Sequence, residues 1–222
     1  MKKIPAMCVI VAFLAGISNA VTKEYRVIHN NNEIGAILID SKETGEGIEF
    51  NIFRQYVIEN QNFIDSTYLL LKKVDYSPIR TVSRKKMFLN EKLIFDNLSE
   101  VTYGIDTIIV KGGGDEHKIP LTSKKPVYDG ENLLIELQKL SFKKGKELNL
   151  PIFFPQFNKI LEALIKIDED VITLDKDKIS TYRVKVSYQK RDFTYWFSKK
   201  SPHHLIKLFD SVTGFTFILK ND

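Results

Sequence analysis

Cysteine is almost absent from this 222-residue chain: Cys8 is the only one, and it falls within the first twenty residues. Everything downstream lacks a disulfide, a thiolate metal site and a thiol nucleophile, so the fold must be held by packing. Histidine is nearly as scarce. His29, His117, His203 and His204 show no HxH or HxxxH spacing, and the adjacent pair points to opposite faces of an extended chain. That is poor geometry for chelating one ion, so no metal site is expected. Around Ser198 and Ser201 the Gly-x-Ser-x-Gly frame of a nucleophile elbow is missing. Gly112-Gly113-Gly114 follows a strand-like run, but Asp115-Glu116-His117 stands where a phosphate loop needs Lys and Ser or Thr. It reads as a hairpin tip. Asp168-Glu169-Asp170 and Asp175-Lys176-Asp177 read as acidic turns, short of the ligands and glycine of a calcium loop. The expectation is a non-enzyme without a cofactor.

Long apolar runs and charge of one sign are also lacking. No stretch after residue 20 approaches the ~20 apolar residues of a membrane-spanning helix. Lys and Arg number 33 against 28 Asp and Glu, a net charge of +5, and the two signs are interspersed. The densest basic run, Arg84-Lys85-Lys86, passes at once into Met87-Phe88. It reads as a solvated strand face, leaving weak attraction to anionic lipid headgroups and no nucleic-acid partner.

What the first twenty residues do contain is a basic start at Lys2 and Lys3, an apolar run from Ile4 to Ile17, and small residues in Ser18-Asn19-Ala20. That is the layout of a secretory signal peptide cut after Ala20. Cys8 lies far upstream of the cut, so lipid anchoring is not expected. Residues 21–222 are expected to form one soluble, exported domain of the periplasm, since no Pro/Ser-rich linker divides them.

Period-two alternation recurs along that domain. Ile48, Phe50, Ile52, Tyr56 and Ile58 share one parity, as do Tyr182, Val184, Val186 and Tyr188. Phe193, Tyr195 and Phe197 continue in a partner strand, and Phe215, Phe217 and Leu219 end the chain. Each segment has an apolar and a polar face, the pattern of antiparallel sheet covered on one side. Asn30-Asn31-Asn32 and Gln189-Lys190-Arg191-Asp192 supply turns between neighbouring strands. One strand is expected over Val101–Val110. One helix is expected from an Asp129 cap through Leu133, Leu134, Leu137 and Leu140, with Lys143, Lys144 and Gly145 at its end. Residues 157–167 fit a helical stripe and a strand equally.

The order of several short elements makes a wider pattern. Val127-Tyr128-Asp129 opens the helix, Lys144-Gly145-Lys146-Glu147-Leu148 leads into a strand, Glu169 precedes Ile172-Thr173, and Trp196-Phe197-Ser198 comes late. Tyr25-Arg26-Val27 and Ile34-Gly35 form an opening hairpin. In these features the chain resembles a family of exported bacterial domains of unknown function with a fold like the lipoprotein carriers LolA and LolB. The resemblance implies a mainly β fold, a single curved antiparallel sheet or half-open barrel with one helix packed against it, and a strand over residues 157–167. It carries no established activity. The expected function is an exported, non-enzymatic envelope protein that binds an apolar or lipid-like ligand on the concave face of its sheet. The alternative is a structural or interaction module with a filled core and an envelope protein partner. Candidate lining residues are Phe50, Ile52, Tyr56, Val184, Val186 and Trp196.

Overall fold

A computed structural model describes residues 21–121, 126–138, 140–174, 176–200 and 203–220. The leader reading of residues 1–20 lies outside them. The first half of the chain forms β1 (Val21–His29), β2 (Asn32–Glu43), β3 (Ile48–Ile58), β4 (Gln61–Leu71), β5 (Pro78–Leu89), β6 (Lys92–Tyr103), β7 (Thr107–Gly112) and β8 (Asp115–Pro120). A two-residue β9 (Tyr128–Asp129) leads into the helix α1 (Gly130–Leu137). The second half forms β10 (Glu147–Phe154), a 3-10 turn (Pro155–Phe157), β11 (Lys159–Leu174), β12 (Asp177–Tyr188), β13 (Arg191–Ser198), β14 (Leu205–Asp210) and β15 (Thr216–Leu219).

Among the described residues, fifteen strands form one sheet, ordered β8 to β1, then β15 down to β9. Sequence neighbours pair as antiparallel meanders, and β1 joins the two halves through Tyr25↔Leu219 and Val27↔Phe217. Only β9 runs parallel to its neighbour, β10. The tight hairpins follow from local chemistry. Asn30 and Asn31 take φ of 50° and 63°, and Asn90 and Glu91 take 48° and 67°. Two successive left-handed residues twist with the strands, and asparagine adopts that conformation at little cost.

The alternating apolar residues line the inner face. Val27, Leu69, Ile152, Ala163, Ile165, Val184, Val186 and Phe197 are fully buried there, together with Leu133 and Leu137 of α1. The sheet is curved but not closed into a barrel, and a seam of side chains does what hydrogen bonds do not. Phe153 lies on the outer face of β10, between the inward Ile152 and Phe154. It packs with Val101, Ile108 and Val110 of β6 and β7 in a second cluster. Those three share a face with Leu69 through Thr81↔Val101↔Val110. The inner face of one wing therefore covers the outer face of β10, as in a scroll. Buried Asp129, next to Phe153 in register, accepts hydrogen bonds on Oδ2 from Thr81 Oγ1 (2.6 Å) and the Tyr103 hydroxyl (2.7 Å) across the seam.

Several expectations change. The helix ends at Leu137, so Lys143 and Lys144 lie beyond it, and Gly145 (φ 76°) serves the turn into β10. A turn closes the helix with the Leu140 N–H donating to the Leu137 carbonyl, and Phe142 joins the core without helix. The Val101–Val110 segment is two strands, because Gly104 and the residues up to Asp106 turn the chain between β6 and β7. Asp168, Glu169 and Asp170 lie inside β11, not in a turn, each opposite a β12 residue. Residues 159–167 are strand, with Phe157 in the preceding 3-10 turn.

Candidate functional site

Register places the inner face in rows that cross the strands. One row runs Val27, Gly35, Tyr56, Phe63, Met87, Phe95 across β1 to β6. Gly35 is a requirement of this row: a Cβ there would fall 2.6 Å from Tyr56 Cα and 2.7 Å from Tyr56 Cβ. Without one, the Tyr56 ring stacks on Phe63 (5.0 Å between centroids) and meets the edge of Phe215 (5.3 Å). Phe215 in turn touches His29 (5.2 Å) and Phe217 (6.3 Å). Burial drives the Tyr56 hydroxyl pKa up, with Asp65 adding to it and Arg54 opposing. Exposure rises along the row, from 0% at Val27 to 47% at Phe95.

The next rows are polar. Arg54, Asp65, Lys85 and Asn97 are in register on the same face. Arg54 Nη1 lies 3.2 Å from Asp65 Oδ2. Thr67 Oγ1 donates to Asp65 Oδ1 at 3.2 Å, and Ser83 Oγ lies 3.4 Å from Thr67 Oγ1. The concave face thus passes from a hydroxyl- and charge-bearing belt to an aromatic stripe within one residue pair.

The aromatic stripe lies at the end of the scroll where the hairpin turns at residues 30–31, 59–60 and 90–91 gather. On the other half, Phe154, Tyr188 and Phe193 line the same end, with Tyr188 4.5 Å from Phe154 and 5.6 Å from Phe193. The opposite end is plugged. Phe142 stacks on Tyr182 (4.9 Å) and contacts Phe197 (5.4 Å) and His203 (4.6 Å). His203 is fixed by contact of Nδ1 with the Ser198 carbonyl at 2.8 Å.

Of the lining residues expected from sequence, Phe50, Ile52, Tyr56, Val184 and Val186 share the inner face. Val184 and Val186 are wholly buried in the packed part, and only Tyr56 belongs to the aromatic stripe. Trp196 pairs with Arg183, so it lies on the outer face, opposite to Val184 and Tyr195. There its Nε1–H donates to Asp170 Oδ2 at 2.9 Å, and Lys207 Nζ sits 4.9 Å from the ring centroid. That hydrogen bond, first, holds the Asp170 carboxyl below its ordinary range. Trp196 also walls an outer groove of about 620 Å³, bordered by Lys144, Lys146, Lys166, Arg183 and Lys185. Phe63, Met87 and Phe95 were missed, because only strand register aligns them with Tyr56. Among the described residues, no group of three His, Cys, Asp or Glu side chains is placed to hold a metal ion.

A long antiparallel sheet rolled around one short helix, with one end plugged and the other rimmed by aromatic rings, defines a barrel-like β scaffold. The chain belongs to the family described as protein of unknown function DUF3108, whose model matches residues 57–219. In fold it is similar to a crystal structure of a beta-barrel-like protein of the domain of unknown function DUF1849 from Brucella abortus. The TM-score is 0.63 at 10% identity, over 90% of this chain and 95% of the other. No curated protein matches the chain.

Proposed function

We propose that this is an exported, non-enzymatic protein of the bacterial envelope that takes an apolar or lipid-like ligand at the aromatic end of its half-barrel. The observation that carries this reading is the graded stripe: one row of apolar side chains runs from the packed core at Val27 out to Phe95, 47% exposed. An acyl chain laid along Tyr56, Phe63, Met87 and Phe95 exchanges water for apolar contact, at about 0.8 kcal/mol per methylene buried. The belt of Arg54, Asp65, Thr67 and Lys85 beside it suits the polar head of an amphiphile. The carrier-like half-barrel that the sequence resemblance implies points the same way, by analogy of fold alone.

A second reading is an interaction module with a filled core. It is favoured by Ile165, Val184 and Val186, which are at 0% exposure in the same cluster as α1. Native mass spectrometry of the protein purified from a bacterial envelope, followed by lipid extraction, separates the two. A bound lipid at fixed stoichiometry, lost in Phe63→Arg while the melting transition persists, is the expected result. A clean unliganded mass, with no melting shift on adding fatty acids or phospholipids, sinks the ligand reading and leaves the interaction module.

A further inference from the structure

The β5–β6 hairpin stands clear of the rest of its wing. β7 pairs with β6 only from Ser99 to Tyr103, so Lys92 to Leu98 has β5 on one side and, among the described residues, no strand on the other. Within the hairpin the register slips: Met87 faces Phe95, but Phe88 faces Leu93 and Leu89 faces Lys92. Ile94 is the extra residue of this bulge. The slip spreads apolar side chains over both faces. Met87, Leu89 and Phe95 lie on the concave face, in line with Phe63 and Gln61, while Phe88 and Leu93 lie on the convex face with Asn62. Leu89 is 39% exposed, Leu93 46%, Ile94 46% and Phe95 47%. The projecting edge is thus apolar on both sides, and the bulge at its centre disfavours pairing with a further strand.

Cations flank these residues. The hairpin carries Arg84, Lys85, Lys86 and Lys92 against Glu91 and Asp96. Arg84 holds Asp96 through hydrogen bonds of 2.9 Å and 2.7 Å to its two oxygens, so that carboxylate is answered within the hairpin. Lys85 is on the concave face and Lys86 on the convex face. Both belong to β5, one strand spacing of about 5 Å behind the β6 edge.

We infer that the β5–β6 hairpin seats, β6 edge first, in the surface of an anionic lipid bilayer. A globular partner covers one face of a hairpin and leaves the other in water. A partner strand extends the sheet and leaves both faces in water. A bilayer surface closes around both. Interfacial segments bury their apolar side chains about 5–10 Å into the boundary of headgroups and acyl chains. At that depth Leu89, Leu93, Ile94 and Phe95 meet acyl chain, and Lys85 and Lys86 stand among the headgroup phosphates, one on each side. Water and lipid ester oxygens stay within reach of the free backbone groups of β6, which hydrocarbon alone would leave unsatisfied. The inference does not rest on the ligand reading. Phe95 is common to both, so no test variant alters it.

Flotation with vesicles tests this on the protein purified from a bacterial envelope. The probes are vesicles of phosphatidylcholine alone and of phosphatidylcholine mixed with phosphatidylglycerol. The expected result is flotation with the anionic vesicles and release by salt. Ile94→Asp lowers the partition coefficient at least about tenfold, and Lys85→Gln about fivefold, both with unchanged circular dichroism. Depth is read from an environment-sensitive fluorophore on single cysteines in a Cys8→Ser background. Labels at Leu89→Cys and Leu93→Cys, one on each face, both shift to the blue with anionic vesicles. A label at Ile105→Cys, 94% exposed in the turn between β6 and β7, does not. Absence of flotation overturns the inference, whether or not a protein partner is then found. So does flotation indifferent to Ile94→Asp, or a blue shift confined to one face. Vesicle binding by a protein that carries no co-purified lipid keeps this inference while the ligand reading fails, so the two fail separately.

Discussion

Removing one hydroxyl from the seam tests whether side chains, in place of backbone pairing, hold the scroll shut. Asp129 is 1% exposed, and its Oδ2 accepts hydrogen bonds from both Thr81 and Tyr103. A hydrogen bond to a charged group contributes about 1.5–3 kcal/mol. Tyr103→Phe keeps the ring against Phe153, 6.4 Å between centroids, and deletes only the donor. The expected loss is about 2 kcal/mol. In a domain of this size that lowers the melting midpoint by about 4–8 °C. Asp129→Ala strands two hydroxyl donors at once, and the expected loss is about 4 kcal/mol. In the Asp129→Ala background, however, Tyr103→Phe removes a donor that has lost its acceptor, and costs about 0 kcal/mol. The coupling of about 2 kcal/mol is read by urea unfolding of the four proteins in a double-mutant cycle.

The same pair predicts an alkaline limb. Burial first, then the Asp129 carboxylate, holds the Tyr103 hydroxyl well above its ordinary value of 10.0. The folded state therefore keeps a proton that the unfolded chain releases. Stability from this group is complete below pH 10 and falls as pH rises beyond it, so the alkaline limb, to which buried Tyr25 and Tyr128 also contribute, is shallower in Tyr103→Phe. Additive losses in the cycle, or an alkaline limb unchanged by Tyr103→Phe, would refute the role given to the seam.

Gly35→Ala drives a methyl into the backbone beneath Tyr56 and is expected to cost about 2–3 kcal/mol in urea unfolding; a neutral effect would mean β2 and β3 can separate there freely. Glu136 on α1 has a buried Oε2 without a hydrogen-bond partner, and burial, then Asp75, raises its pKa above 4.5. Its contribution is therefore complete in acid and lost as pH rises, so Glu136→Gln should raise the melting midpoint at pH 7 and leave it unchanged below pH 4. Trp196 is the only tryptophan and lies on the outer face, so its emission should not move when a fatty acid binds the concave stripe. A blue shift on binding would place the ligand in the outer groove instead.

Alternation in the sequence located most of the strands and their inner faces, because period two is a property of each strand alone. Val184 and Val186 could be placed on the inner face from parity, and their burial follows. Trp196 shows where parity within a strand stops being enough. It belongs to β13, and whether it shares a face with Val184 depends on β12 pairing Arg183, not Val184, with it. That offset is set by the turn at Gln189, whose φ is 52°. Tyr56 and Phe63 are separated by a short hairpin, yet Met87 and Phe95 join them only through two further registers. A site assembled across four strands is written in the turns between them.

The helix shortened for a related reason. Leu133, Leu134, Leu137 and Leu140 have helical spacing, but the interior sets how much of that spacing becomes helix. Past Leu137 the chain turns, with the Leu140 N–H donating to the Leu137 carbonyl, and Phe142 goes to Tyr182, Phe197 and His203 at the far end instead of continuing the helical face. The acidic run at Asp168 to Asp170 looked like a turn because its composition is that of one. In β11 its members are instead spoken for by neighbours: Asp168 by Arg183 and Asp170 by Trp196 and Arg183. Outer-face carboxylates answered by a cation or an indole N–H on the next strands are compatible with sheet, and the cross-strand partners decide the outcome. What the local pattern leaves open is therefore the same at both faces: which strand lies beside which, and how far each is shifted.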